Sequence, residues 1–291
     1  MMDIALALGG GGAKGNSHIG VLRVLEREGF RIRAVAGTSF GGIVAAFYAM
    51  GKTPDEIEAL FHTVDQSRMF GHQPGDGASL LGLAGASKWL DQHLGAFTFA
   101  DTNIPCALTA VDLNAAREVI LAEGSLRDAV LATIALPGIF PSRKIGHWDL
   151  VDGGTLDPVP VGVARSLAPK LPVVAVVLSS PIGEPTRNLR VSIPSYVPAP
   201  IAQRLSNMSV ARAFDVFLHA VEIGERQMTE LRLEVDKPEV IVRPAVHHIN
   251  LLDKVDIGDV AKLGEQAMEQ MLPELRRALS LPAKLSRLMK G

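Results

Sequence analysis

The sequence predicts an α/β fold, with three α/β/α layers and a mostly parallel central sheet. Short apolar runs rich in β-branched residues alternate with segments of helical period, and the first two runs each end in a glycine-rich turn before a helix. Such alternation is typical of a parallel sheet covered on both faces. With 291 residues, 47 % of them hydrophobic, we expect one domain over 1–291. Its motif-bearing core spans 4–165, and a C-terminal strand and helices occupy 166–291.

The individual elements follow from local patterns. Helix starts are indicated by Thr53 before Pro54 and two acids, and by Ser125 before an apolar run. Gly29 and Gly51 are placed to end helices. We predict strands at 4–8, 32–36, 105–111, 118–121, 148–151, 173–178 and 240–242, the third and fourth as a hairpin. We predict helices over about 19–28, 43–50, 53 onward, 125–134, 208–233 and 256–279.

Two segments interrupt this order. Residues 65–86 are loop-like, and Leu80, Leu81 and Leu83 are expected to be exposed there. The segment is either a surface loop with a few buried anchors or a mobile flap over an apolar site. Residues 181–200 carry several prolines and are expected to form an irregular connection.

Composition limits the classes of function. The formal charge of −2 argues against nucleic acid as a partner. The single cysteine, Cys106, fits a reducing compartment and a buried position. No secretory signal and no apolar run of about 18 residues is visible. We therefore expect a soluble cytoplasmic protein, with peripheral contact to a membrane left open.

The chain is organised around the stretch Gly37-Thr38-Ser39-Phe40-Gly41. An apolar strand enters it and a helix of small residues leaves it. A serine on such a turn is held in a strained backbone geometry with its Oγ exposed, at the N-terminus of the following helix. Gly37 and Gly41 are needed where a Cβ would clash with the strand or the helix. The stretch is typical of a nucleophile elbow.

A second motif follows the first strand. The pattern Gly10-x-Gly12-x-x-Gly15 satisfies the dinucleotide fingerprint, but the second strand ends without the acid that would bind a ribose. The phosphate-loop pattern also fails, because Lys14 precedes Gly15. Beside a serine elbow, such glycines can instead supply backbone N–H groups to an oxyanion hole. Lys14 is either a solvated residue or an attractor for an anionic head group.

A third motif, Asp152-Gly153-Gly154, ends the strand predicted at 148–151. At the carboxyl end of a strand the aspartate is expected to lie at the same sheet edge as the elbow and the glycine loop. The two glycines let the chain turn closely beside it. An ordinary Asp-Gly turn is the alternative interpretation.

Together these motifs resemble the patatin-like phospholipases, and among them the compact bacterial type. The glycine loop at 10–15 is similar to the oxyanion motif of that family, and 18–22 continues it. The elbow at 37–41, the segment 134–141 and the Asp-Gly-Gly motif at 152–154 also resemble family motifs. The resemblance covers about residues 4–165, and the remainder matches only in general shape.

The resemblance implies a catalytic dyad. Ser39 would be the nucleophile and Asp152 the general base, and partial burial would raise the pKa of Asp152. The N–H groups of Gly10, Gly11 and Gly12 would hold the oxyanion. The supporting motif glycines would be Gly15, Gly37, Gly41, Gly153 and Gly154.

The same resemblance implies a lipid or acyl ester as the substrate. The histidines are scattered without the spacing of metal ligands, so we predict no metal and no cofactor, and activity without calcium. Asp157 stands where such proteins often have asparagine, and a second carboxylate there would alter the proton affinity of Asp152. The oligomeric state, the acyl chain and the head group are not readable.

Three alternatives remain open. One is an α/β-hydrolase triad in which His247 or His248 follows Ser39 and Asp152 along the chain. Another is a non-catalytic regulatory protein on the same scaffold. The third is a nucleotide-binding protein, which the missing ribose-binding acid disfavours.

Overall fold

The computed structural model describes residues 2–65, 69–73, 79–183 and 209–280. Within these ranges the strands are β1 (Met2–Leu8), β2 (Phe30–Gly37), β3 (Cys106–Asp112), β4 (Arg117–Leu121), β5 (Arg143–Ile145), β6 (Trp148–Asp152), β7 (Val173–Val176) and β8 (Val240–Val242). The helices are α1 (Ser17–Arg27), α2 (Phe40–Ala49), α3 (Pro54–His62), α4 (Ala84–Leu94), α5 (Leu126–Thr133), α6 (Val161–Leu167), α7 (Ser209–Asp236) and α8 (Ile257–Ala278).

The strands form one mixed sheet. Its order is β5-β6-β3-β2-β1-β7-β8, and β4 also pairs with β3. The pairs within β3-β2-β1-β7-β8 are parallel, whereas β4, β5 and β6 are antiparallel to their neighbours. The predicted mostly parallel sheet, including the β3–β4 hairpin, is therefore confirmed, with an antiparallel extension beyond β3.

The two faces of the sheet carry different side chains. On β1, Ile4, Leu6 and Leu8 belong to the larger core, which contains the apolar faces of α1, α2 and α8. The alternate residues Ala5 and Ala7 belong to a smaller core together with residues of α6 and α7. Because successive side chains of a strand point to opposite faces, both faces are covered and the three-layer prediction is confirmed.

Most predicted elements occur within one to three residues of their expected ends, whereas β5, α4 and α6 were not predicted. Thr53 begins α3 as expected: its side chain accepts the Glu56 N–H, and the Glu56 carboxylate accepts the Thr53 N–H at 2.8 Å. Cys106 is buried, as expected. None of the helices in the described ranges is long and apolar enough to cross a membrane.

The prediction for residues 65–86 was partly wrong. Leu83 is only 5 % exposed and precedes α4, whereas Leu80 is 54 % exposed. Backbone hydrogen bonds join Leu80 to Gly138 and Leu81 to Ile139, so this part is held against the chain that follows α5. The remainder of the flap hypothesis, and the expectation for 184–200, lie outside the described residues.

Candidate active site

Ser39 occupies a strained turn between β2 and α2. Its φ of 53° and ψ of −126° lie in the left-handed half of backbone space, which residues with a side chain rarely adopt. The Ser39 N–H donates to Thr133 Oγ1 at 2.8 Å, which helps to hold this conformation. An added Cβ at Gly37 would lie 2.5 Å from the Gly41 carbonyl oxygen, and one at Gly41 would overlap the Leu8 carbonyl. The geometry expected of an elbow is present.

The glycine loop lies directly beside Ser39. An added Cβ at Gly10 would be 3.2 Å from the Ser39 Cβ. The Gly10 N–H, however, donates to the Pro158 carbonyl oxygen at 2.9 Å. The N–H groups of Gly11 and Gly12 donate to no described residue. Gly11 and Gly12 have φ values of 155° and 56°, a backbone path that other residues rarely follow.

A buried histidine supports this loop. His18 is fully buried, and burial lowers its pKa to about 4, so the ring is neutral near neutral pH. Its Nε2 lies 2.8 Å from the Gly9 carbonyl oxygen. A carbonyl oxygen only accepts, so Nε2 carries the proton. The Gly9 N–H donates to the Val176 carbonyl oxygen at 3.0 Å, so both backbone polar groups of Gly9 form hydrogen bonds.

Asp152 forms a hydrogen bond with the Ser39 side chain. The Asp152 carboxylate is 2 % exposed and accepts hydrogen bonds from the Ser39 hydroxyl and, at 2.8 Å, from the Gly154 N–H. Burial raises the pKa of Asp152 to about 6, and these two hydrogen bonds limit the rise because they favour the charged form. The carboxylate is thus ionised near neutral pH and within hydrogen-bond reach of a hydroxyl.

The strand that carries Asp152 runs in a direction that the sequence did not indicate. We expected the carboxyl end of its strand to coincide with those of the parallel strands, but β6 is antiparallel to β3. The end of β3 continues past its pairing with Gly37, and Asp152 pairs with Ala110 on that extension. The predicted proximity to Ser39 is present, but the predicted strand direction was wrong.

Asp157 belongs to a different cluster. Its carboxyl is buried, shares a hydrogen bond with Glu118 and lies 3.9 Å from Arg232 Nε. Arg232 also donates to Glu118 at 3.0 Å. Burial raises the pKa of Asp157 to about 8, Arg232 opposes this rise, and Glu118 and Asp236 add to it. The pKa of Asp152 is set by burial and by its own two hydrogen bonds, and Asp157 is not among its causes.

Sequence reasoning missed several residues around the site. Thr133 binds the Ser39 backbone from the last residue of α5. The Thr38 hydroxyl donates to the Asp157 carbonyl oxygen at 2.8 Å and lies 2.7 Å from the Thr109 hydroxyl, so it joins β2, β3 and the chain after β6. No spacing rule marks these threonines, because their partners are distant in sequence.

Glu225 on α7 was also missed. An added Cβ at Gly154 would be 2.8 Å from Glu225 Oε1 and 3.2 Å from Asp152 Oδ1, so both carboxyls border the same glycine. The neighbouring Lys14 is 3.4 Å from Glu222 rather than free to attract a head group. A helix far along the sequence therefore supplies a second acid to the site.

The alternative residues lie elsewhere. His247 and His248 are exposed in the turn between β8 and α8. Among the residues that the structure describes, Ser39 and Gly154 donate hydrogen bonds to the Asp152 carboxylate, and no histidine does. In the part of the chain that the structure describes, no group of three or more His, Cys, Asp or Glu side chains is arranged to hold a metal ion.

Comparisons with known proteins identify a family. A family model described as Patatin-like phospholipase matches residues 6–165. An uncharacterized NTE family protein of Mycobacterium tuberculosis is 33 % identical over 188 residues, covering 64 % of this chain and 51 % of that one. The mouse patatin-like phospholipase domain-containing protein 6 is 31 % identical over 185 residues, covering 61 % of this chain and 14 % of its own length. The chain thus spans about half or less of these relatives.

Among solved structures, VipD from Legionella pneumophila matches with a TM-score of 0.55. The match covers 94 % of this chain and 66 % of VipD, at 13 % sequence identity. At this identity the likeness shows a shared fold.

Proposed function

This chain belongs to the patatin-like phospholipase family, and we propose that it hydrolyses lipid acyl esters through Ser39 and Asp152. The observation that carries the proposal is the hydrogen bond from the Ser39 hydroxyl to a buried carboxylate, at a strained turn. Beside it lie the N–H groups of Gly11 and Gly12, which donate to no residue in the described part of the chain. A nucleophile, a base and candidate oxyanion donors close to one another support the proposal.

In the proposed first half-reaction, Asp152 accepts the Ser39 proton while Oγ attacks the ester carbonyl carbon. The carbonyl π electrons move to the oxygen, forming a tetrahedral oxyanion. When this collapses, the alcohol or lysolipid leaves with the proton from Asp152, and an acyl ester remains on Ser39. A base that is mostly ionised at neutral pH, with a pKa of about 6, suits this transfer better than an ordinary carboxylate would.

In the second half-reaction, Asp152 removes a proton from the water that attacks the acyl carbon, and a second tetrahedral oxyanion forms. When it collapses, the bond to Ser39 Oγ breaks, Oγ takes the proton back from Asp152, and the fatty acid is released. We propose Gly11 and Gly12 as the main donors to the oxyanion, because the Gly10 N–H is held by Pro158. The role of Gly10 would then be close approach to Ser39. Loss of one such donor typically costs a factor of about 10² to 10³ in rate.

Apolar side chains near the site support an acyl substrate. Leu80, which is bonded to Gly138 through its backbone, is exposed. Phe217 on α7 is 45 % exposed and packs near the same glycine. The Ala135 carbonyl, on the segment leading to Gly138, accepts the Asp152 N–H. We propose that an acyl chain, or the surface of a membrane, contacts this side of the site.

The proposal is tested with p-nitrophenyl acyl esters and with a fluorophosphonate that labels activated serines. We expect wild type to hydrolyse the esters and to be labelled, and Ser39→Ala to do neither. Ser166→Ala, which removes an exposed hydroxyl of α6, serves as the matched control and should behave as wild type. A wild-type protein that is inert in both assays would favour the non-catalytic scaffold instead.

Three further arms separate the remaining alternatives. A variant with both His247 and His248 changed to alanine should retain activity, and its loss would favour the triad. Added EDTA should leave the rate unchanged. A panel of phospholipid, lysophospholipid, simple ester and thioester substrates would then identify the bond that is cleaved.

A further inference from the structure

Glu225 is a half-buried acid in the site that the proposed mechanism does not use. It extends from α7 toward Gly154, and the glycine separates it from Asp152. The charged groups that act on it are Asp152 at the end of β6, Glu222 on its own helix and Lys14 in the glycine loop. Two of the three are negative, and Lys14 is already paired with Glu222.

Two nearby carboxyls that are shielded from water do not both ionise easily, so such a pair keeps one proton over a wide pH range. The hydrogen bonds indicate which carboxyl is charged first. Asp152 receives a hydroxyl and an N–H, which favour its anion. No described residue donates a hydrogen bond to the Glu225 carboxyl, so its neutral form is favoured.

We infer that Glu225 is a positioning residue that must hold its proton for Ser39 and Asp152 to work. This inference rests on the proposed function and adds that the ionisation of Glu225 limits the pH range of the activity. With the proton on Glu225, Asp152 is the anion and accepts the Ser39 proton. Once Glu225 ionises, a second negative charge stands beside the forming oxyanion and opposes it.

The order of ionisation agrees with this geometry. Burial and the Asp152 charge raise the pKa of Glu225 to about 8, whereas that of Asp152 is about 6. Between these values the site has one charged and one neutral carboxyl. A bell-shaped dependence of kcat/KM on pH follows, with its acid limb from Asp152 and its alkaline limb from Glu225.

The first test compares the pH profiles of wild type and Glu225→Gln, which keeps the shape of the side chain and cannot ionise. We expect Glu225→Gln to keep the acid limb and to lose the alkaline limb, so that it exceeds wild type about tenfold at pH 9. Glu234→Gln, an exposed change on the same helix, should keep both limbs. An alkaline limb that persists in Glu225→Gln would overturn the inference.

The second test does not depend on activity. In protein with ¹³C-labelled glutamate side chains, the Glu225 carboxyl resonance is identified by its loss in Glu225→Gln. We expect it to titrate above pH 7, and to titrate at lower pH in Asp152→Asn, where the neighbouring charge is gone. An unchanged titration in Asp152→Asn would refute the coupling. If wild type is catalytically inert but this shift occurs, the proposed function fails while the coupling stands.

Discussion

Two buried aspartates, Asp152 at the end of β6 and Asp157 in the chain after it, have different surroundings. Asp152 accepts hydrogen bonds from a serine hydroxyl and a backbone N–H, whereas Asp157 shares a hydrogen bond with Glu118 and lies near Arg232. Burial raises the pKa of both, to about 6 for Asp152 and about 8 for Asp157. Burial alone therefore does not mark a catalytic base.

What separates them is the group within reach of each carboxyl. Asp152 accepts a hydrogen bond from a hydroxyl whose proton it can take, and the nearby N–H groups of Gly11 and Gly12 have no acceptor among the residues that the structure describes. Asp157 contacts groups that join α7, β4 and the chain after β6: Arg232 donates to Glu118 and to the Leu156 carbonyl oxygen. We therefore assign a structural role to Asp157 and propose a chemical one for Asp152.

The largest expected effect is on the rate of hydrolysis. Asp152→Asn should lower kcat/KM by about 10³-fold, because an amide cannot accept the Ser39 proton. Asp157→Asn, the matched change in the other cluster, should stay within about threefold of wild type, since effects on structure away from the reacting atoms are smaller. Steady-state kinetics on one ester checks both. Equal losses in the two variants would end the distinction.

Next in size is a steric difference between Gly153 and Gly154. An added Cβ at Gly153 would lie 2.6 Å from the Thr109 carbonyl oxygen, which the sheet holds in place, so Gly153→Ala should lower the free energy of unfolding by on the order of 2 kcal/mol. At Gly154 the nearest atom is the movable end of Glu225, so Gly154→Ala should cost less than about 1 kcal/mol. Urea unfolding of the two variants measures the difference. Equal costs would contradict the packing described here.

The two aspartates should also differ in the pH dependence of stability. A carboxyl with a raised folded pKa binds its proton more tightly in the folded than in the unfolded chain. Its contribution is therefore largest at low pH and is lost as pH rises from about 4 toward the folded pKa. That window ends near pH 8 for Asp157 and near pH 6 for Asp152.

Asp157→Asn should therefore lose less stability than wild type between pH 6 and pH 8, by on the order of 2 kcal/mol. In a Glu225→Gln background, where the coupling between Asp152 and Glu225 is absent, adding Asp152→Asn should leave the stability change over that interval as it was. Urea unfolding at both pH values gives the comparison. If adding Asp152→Asn also made that background insensitive to pH there, the assignment of the two pKa values would be wrong.

The smallest expected effect concerns the support of the elbow. Thr133→Val removes the acceptor of the Ser39 N–H while keeping the shape of the side chain, and should cost about 1 kcal/mol of stability. Thr133→Ser keeps the hydroxyl and should retain that stability. Thermal unfolding distinguishes them. A Thr133→Val variant as stable as Thr133→Ser would show that the strained turn does not need this bond.

The sequence by itself determined the features that arise from neighbouring residues. The apolar runs ending at Leu8 and Ala36 predicted parallel strands, and the glycine spacing around Ser39 predicted a turn that the structure contains. Capping at Thr53 was also readable, because both partners lie within one helical turn. Such patterns are local, and a local steric or hydrogen-bonding rule is enough to recognise them.

Which residues distant in sequence come into contact depends on the tertiary structure. The antiparallel β6 brings Asp152 to Ser39 along the extended end of β3, and α7 brings Glu225 to Gly154 and Arg232 to Asp157. Thr133 likewise reaches the Ser39 N–H from α5. Strand direction and helix placement result from burial of whole faces, which is non-directional and involves many residues at once. Spacing along the chain therefore does not encode these partners.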